Sequence, residues 1–405
     1  MKYQDPVLEQ LRGANKAAKK RRNKRSEKIA AAERKREARE KKRRKRLLFN
    51  MRGVAIPPSP KVFKQAYHFP PVAQYLTGTC WSYSATSFFE SEVARQHKRR
   101  IKLSEQHTVY YEYLAKVRRW LAKRGHSAFS QGSENNAVTR ILEEHGAMPL
   151  AAYPGVMAKN RRHNHVRMAK QIRQYLEHCK EVGQWDAKVV IPAVRALLDK
   201  VLGHPPSEFS FEGKRYTPRR FLRDVLKLDL NAYVEVMSTK LIPFWTVGEF
   251  NAPDNWWRSR DYHNVPLGVF YGLITSAVGK GYTVAIGGDV SEPGKNGFKD
   301  AAVIPSDDIP QASIHQDSRE YRIDAKATTD DHGLHLVGHV NHAGRDWFLL
   351  KDSGRSSRMG KAKGYYYFRD DFIKLKMLTL TVHKDVLGKL LKRFRRPART
   401  QPKKR

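Results

Sequence analysis

Cysteine is almost missing from this chain: 405 residues carry two, Cys80 and Cys179. A pair cannot staple a framework of bridges, and a secreted domain of this size would commonly carry several, so a reducing compartment, the cytoplasm, is expected. Long apolar runs are missing as well. No stretch approaches the roughly 18 apolar residues of a membrane-spanning helix, and the patch from Leu47 to Met51 is too short for the core of a secretory leader. Acidic residues are scarce, with 40 Asp and Glu against 78 Lys and Arg and a formal net charge of +38. Roughly two thirds of that excess lies at the ends, in residues 12–52 and beyond Lys384, which leaves an ordinary, moderately basic chain between them. With 40% hydrophobic residues overall, that middle is ample for a large core.

The basic stretch from Ala14 to Arg46 is rich in good helix formers but offers no apolar stripe to bury. It reads as a solvated arm over residues 1–53, helical at most in part. Two roles fit it: a solubilising tail, or a tether to nucleic acid or another acidic partner, held through release of phosphate counterions. A basic tail over 384–405 has the same alternatives. The proline-rich entrance "VAIPPSPKVF" starts the folded part near residue 54, giving a domain over 54–383.

The first cysteine stands in "QYLTGTCWSYSATSFF", Gln74 to Phe89. After it, Trp81, Ala85, Phe88, Phe89 and Val93 recur at spacings of three and four, so a helix is expected to begin at or just after Cys80. The unpaired N–H groups of a helix amino terminus favour a thiolate there. A lone cysteine in a helix is, equally, a small apolar packing residue. Cys179, in "YLEHCKEVG", has no chemical neighbours and reads as helix packing.

The residues around Cys80 separate those readings. Gln74, Gly78, Cys80, Trp81 and the following "SYSA" reproduce the pattern Q-x-x-x-G-x-C-W-x-[FY]-S-A, and the chain resembles the papain-like cysteine proteases there. The resemblance continues through "LSEQ" at Leu103, "QGSENNAVTRILEEHGAMPLAAYPG" from Gln131, "DHGLHLVGH" from Asp331 and "WFLLKDSG" from Trp347, in the family's order. It implies an α+β fold of two lobes, a helical one carrying Cys80 and a β-rich one carrying His332 and Asp352, with a helical insertion over about 159–260 and basic terminal arms. Helices are expected within that insertion over 190–202 and over 217–228, where Thr217 caps and Pro218 takes the first helical position.

The histidines His332, His335, His339 and His342 crowd one segment, and such spacing on a helix would suit a metal. However, "LHLVGHV", "NHAG" and "WFLLK" read as strand, tight turn and strand, without an accompanying cysteine or acidic cluster. No metal or organic cofactor is expected. Against the family pattern H-A-x-x-x-V-G, His332 takes the catalytic position, and His335 and His339 become packed or surface residues.

By that resemblance Cys80 is the nucleophile, His332 the acid and base, Asp352 the group that orients His332, and Gln74 a donor to the oxyanion. Gly78, Trp81, Gly132 and Ser133 would touch the substrate, a peptide or protein cleaved at an amide bond. Two residues depart from the family: Asp352 stands where Asn is usual, and Gly354 where a Trp covers the pair. The latter should leave the pair more open to water. A catalytically degenerate scaffold, acting as a basic binding protein, is the rival from another class. A transglutaminase-like acyltransferase, which uses Cys, His and Asp in the same order, is the enzymatic one. The long insertion and "PLGVFYGLITSAVGKGYTVAIGGDV" resemble the bleomycin hydrolase and aminopeptidase C branch, although the chain runs on past the point where that branch ends in its own cleft.

Overall fold

The structure is a computed structural model. It describes residues 49–127, 129–157 and 162–395, together with isolated positions before residue 49. The chain divides into a unit ending at Leu48 and a unit beginning at Phe49. Most of the expected basic arm, and the tail beyond Arg395, lie outside the described residues.

Helices α1 (Cys80–His97), α2 (Glu105–Ala122), α3 (Asn136–His145), α4 (Val166–Glu181) and α5 (Ala187–Leu202) build one core. The apolar positions of α1 account for its place. Trp81, Ala85, Phe88, Phe89 and Val93 are all at most 1% exposed, so this helix is enclosed along its length. Burying each large side chain contributes about 1.5–3 kcal/mol. Helix α2 is capped by Ser104, whose hydroxyl accepts from the His107 N–H at 3.1 Å.

The insertion joins this helical core. Ile172, Leu176 and Cys179 from α4, and Val190, Val194 and Leu198 from α5, are buried in it, so Cys179 is a packing residue. Helix α5 starts at Ala187, earlier than the expected Val190, because Asp186 caps it by accepting from the Lys188 N–H at 2.8 Å. The second expected helix opens at Pro218 under the Thr217 cap but widens into a π-helical turn over Phe221–Leu226.

The β-rich part is a mostly antiparallel sheet. In chain order its main strands are β1 (Tyr233–Met237), β2 (Val284–Gly288), β3 (His332–His342), β4 (Arg345–Lys351), β5 (Tyr365–Arg369) and β6 (Met377–His383); helix α6 (Leu267–Gly279) packs on it. In space the strands run β1, β6, β2, β3, β4, β5. Alternation sorts their side chains. Phe348 and Leu350 face the core shared with α6, whereas Trp347 and Leu349 face a smaller core with Met51 and Phe63. Strands β3 and β4 form the expected hairpin, turning at Ala343 and Gly344, both at positive φ.

Both expected domain boundaries move outward. Phe49 donates its N–H to Pro293 O at 3.1 Å and Met51 is buried, so the packed chain begins before Val54. At the other end Val386 and Leu387 are buried, Phe394 rests on the same core, and Arg395 exchanges main-chain hydrogen bonds with Trp245 and Val247. The charge there belongs to an amphipathic segment whose apolar residues were hidden among lysines and arginines. Among the described residues no helix is long and apolar enough to cross a membrane.

Candidate active site

Cys80 is the first residue of α1, and Thr79 before it offers no side-chain cap to the helix. The Ser82 N–H turns back to Thr79 O at 3.0 Å, and the partial positive charge of the helix amino terminus lies beside the sulfur. His332 is the first residue of β3, where it pairs with Gly288 of β2. The strand reaches α1 because Gly333 permits it. A Cβ on Gly333 would lie 3.1 Å from the Trp81 Cα, so any side chain there would press the strand away from the residue after Cys80. Ser84 on the next turn of α1 fastens the same strand by donating to Leu334 O.

His332 Nε2 lies 2.9 Å from Oδ1 of Asp352, which directly follows β4. The other ring nitrogen is left for the Cys80 sulfur, to which the imidazole is hydrogen-bonded. Burial alone would push the imidazole down, but the Asp352 carboxylate and the Cys80 sulfur outweigh it and raise His332 from 6.5 to about 10. Burial would likewise raise the Asp352 carboxyl, yet the imidazolium charge, the hydrogen bond and Lys295 hold it well below the usual carboxylate range. The geometry thus favours an imidazolium and a carboxylate together.

Gln74 is tied to the far side of this pair. Its N–H donates to Ser353 O at 3.0 Å, and its Oε1 accepts from Ser353 Oγ at 2.7 Å. Its Nε2 donates to Thr77 O at 2.6 Å, which leaves the second amide hydrogen for another acceptor. Gly78 and Trp81 are both held by Gln131: the Gly78 N–H donates to Gln131 Oε1, and Trp81 Nε1 donates to Gln131 O, each at 3.0 Å. Trp81 is 1% exposed, so its side chain braces the loop.

Three expectations change. Asp352 and His332 are not opened to water by Gly354, since their side chains are 0% and 12% exposed. Gly354 covers the pair with its own backbone, donating its N–H to Asp352 Oδ1 at 2.6 Å. The side chain of Ser133 does not face a substrate; it is buried and donates to Glu112 Oε1 at 2.6 Å. Gly132 is not an open ledge either, because a Cβ there would overlap the Asp254 carboxylate. His335 is buried and bonded to Ser87 Oγ at 2.7 Å, while His339 meets Asp346 Oδ1 at 3.1 Å, so both stand apart from His332.

Ser353, Gln131 and Asp254 were not singled out from the sequence. Ser353 and Gln131 sit inside the motifs that were matched, directly beside Asp352 and Gly132. Asp254 had no signal, since its loop reaches Gly132 only through the fold.

With this geometry in place, comparison with known proteins decides the family. The sequence pattern of the Peptidase C1-like family matches residues 55–400. The chain belongs to that family. It is similar to aminopeptidase C of Lactococcus lactis subsp. cremoris, 23% identical over 360 residues that cover 79% of this chain and 81% of the relative. Its fold is similar to that of PepW from Lactobacillus rhamnosis HN001, with a TM-score of 0.64 and 16% identity, covering 84% of this chain and 85% of the other. It is a papain-like cysteine peptidase with an α+β fold.

Proposed function

We propose that this peptidase hydrolyses peptide bonds through a thioester on Cys80. One observation carries the reading: an imidazole hydrogen-bonded to the Cys80 sulfur on one side and to a fully buried carboxylate on the other. As thiolate, Sγ attacks the scissile carbonyl carbon while the imidazolium of His332 keeps the proton. The oxyanion that forms is met by the Cys80 N–H and the free Nε2 hydrogen of Gln74; each such donor is worth on the order of a hundredfold in rate. As the carbon–nitrogen bond breaks, His332 gives its proton to the leaving amine. Water then enters, loses a proton to the now neutral His332, and releases the acid and the thiolate.

Asp352 is the positioning residue. It fixes which ring nitrogen faces sulfur, and its charge stabilises the imidazolium more than an amide would. Cys80 and Cys179 are both free thiols, which suits a reducing compartment such as the cytoplasm. The substrate is a peptide or protein, and the basic arms offer non-specific attraction to an acidic partner.

A thiol-directed activity probe on the full chain tests the assignment. Labelling of wild type that disappears in Cys80→Ala and falls sharply in His332→Ala supports it. No labelling at any pH from 5 to 10 would favour the degenerate binding scaffold, and preferential transfer of acyl groups to added amines over water would favour an acyltransferase.

A further inference from the structure

A groove that the reaction scheme leaves unused opens beside the oxyanion donor. Val72, Ala73 and Tyr75, the neighbours of Gln74, line a cavity of about 930 Å³ together with Pro149, Pro154 and Phe211. That is near the top of the roughly 300–1,000 Å³ range of ligand pockets, which leaves room for more than one residue of an extended chain.

Tyr75 joins this groove to the catalytic centre. It is 49% exposed and holds a φ of 55°, a conformation that few large residues adopt, so the fold keeps its ring in solvent at some backbone cost. Two guanidinium groups attend the ring. Arg162 lies 5.7 Å from its centroid, and Arg358 acts on Tyr75 electrostatically while donating to Asp352 O at 3.2 Å.

The chemistry gives the groove a direction. His332 hands its proton to the leaving amine, so the chain beyond the scissile bond departs past His332 and the loop that follows Asp352. Ser353 on that loop is fastened to Gln74 by two hydrogen bonds, and the groove begins with the residues on either side of Gln74. It therefore continues the leaving-group side of the cleft.

The charges lining the groove do not balance. Lys102 meets Glu90 and Glu105 at 2.6 and 2.5 Å, and Arg99 meets Glu212 at 2.5 Å. Lys98 and Arg100 also line it, both exposed, and among the described residues neither forms an ion pair. Lys98 Nζ donates to Arg95 O, and the Arg100 guanidinium lies 4.5 Å from the Tyr67 ring centroid. Two cations without carboxylates thus face a space large enough for a peptide, and a carboxylate there would complete the pairing. Because both are exposed, the attraction is modest and sensitive to salt.

We propose that this groove binds the segment of a peptide or protein substrate that follows the scissile bond, and selects acidic residues in it through Lys98 and Arg100, with Tyr75 as the platform at its entrance. The direction rests on the catalytic reading above.

The test uses internally quenched peptides that share one amino-terminal part and one scissile bond, followed by an extension of glutamate, glutamine or lysine. At low salt kcat/KM should rise about fivefold or more from glutamine to glutamate, with lysine slowest, and the gap should close as salt is added. The double variant Lys98→Gln with Arg100→Gln should bring the glutamate-to-glutamine ratio close to one. That ratio compares two substrates on one variant, so a general loss of activity cancels. The basic arms are intact in the variant, so a preference that survives there belongs to them and overturns the groove. An equal gain from glutamates placed before the scissile bond would overturn its direction. If no peptide is cleaved, binding decides: full-length Cys80→Ala is mixed with the glutamate and glutamine peptides, each with a photoreactive group at its carboxyl end. Preferential crosslinking of the glutamate peptide to groove residues supports the proposal, which separates its fate from that of the hydrolytic reading. Equal rates on the glutamate and glutamine peptides, or in the uncleaved case crosslinks that avoid the groove, would overturn it.

Discussion

His332 and Gly354 share one acceptor: Nε2 of His332 and the N–H of Gly354 both reach Asp352 Oδ1, at 2.9 and 2.6 Å, while Asp352 Oδ2 is buried without a partner. An asparagine, placing its carbonyl oxygen at Oδ1, could make both contacts. What it could not supply is the negative charge. Asp352→Asn should therefore retain substantial peptidase activity, within about tenfold, whereas Asp352→Ala should lose on the order of a hundredfold, as removal of a group that orients a reactive side chain typically does. Steady-state kcat/KM on a fluorogenic peptide decides it, and equal losses in the two variants would refute the positioning role.

The same charge sets a pH dependence. His332 stands at about 10, raised above its ordinary value, so the imidazolium needed to protonate the leaving amine persists through neutral pH and is lost as pH rises toward 10. In Asp352→Asn one of the forces raising it is gone, and the alkaline limb of kcat/KM should move to lower pH by at least one unit. An unmoved limb would mean that His332 owes its proton to something else.

Gly354 gives a steric prediction. A Cβ there would lie 3.0 Å from Asp352 Oδ1 and 3.5 Å from the His332 ring, tight against the pair. Gly354→Ala should lower kcat by roughly tenfold or more by displacing the ring, with unfolding temperature changed little because the residue carries no core contact. Full activity in that variant would show that the loop gives way easily.

Stability should fall on the acid side for a separate reason. Burial holds His107 and His165 down to about 3, so both are neutral when folded but take up a proton near 6.5 when unfolded. Stability from each is present above 6.5 and is lost as pH falls below it, by up to about 1.4 kcal/mol per pH unit per group. His332 has the opposite sign: its contribution is complete below 6.5 and is lost as pH rises to about 10. Urea unfolding between pH 4 and 7 should show a shallower acid-side decline in His107→Gln than in wild type. Parallel curves would exclude His107 as a source.

The catalytic constellation was more legible than its setting. Cys80 and Gln74 are close in sequence, and their spacing is fixed by one loop and one helix start, so a linear pattern captures them. His332 and Asp352 flank a hairpin whose alternation is equally local. The pairing of Asp254 with Gly132 joins positions that only the packed fold brings together, and no local pattern encodes it. At the ends, lysine and arginine masked the apolar residues Val386, Leu387, Leu390, Leu391 and Phe394, which composition alone assigned to a tail. Consequently a fragment of residues 49–395 should keep the unfolding temperature and activity of the full chain, whereas one ending at Lys384 should be strongly destabilised. Any binding of labelled RNA or DNA by the full chain should be steeply salt-dependent and largely absent from the 49–395 fragment.

The most direct test of the account is to trap the acyl-enzyme. Rapid acid quench of the full chain with an activated ester substrate, followed by intact mass and peptide mapping, should find the acyl group on Cys80 in wild type. It should find none in Cys80→Ala and a much slower approach in His332→Ala. An acyl adduct on any other residue, or product formation by Cys80→Ala at the wild-type rate, would contradict the central claim.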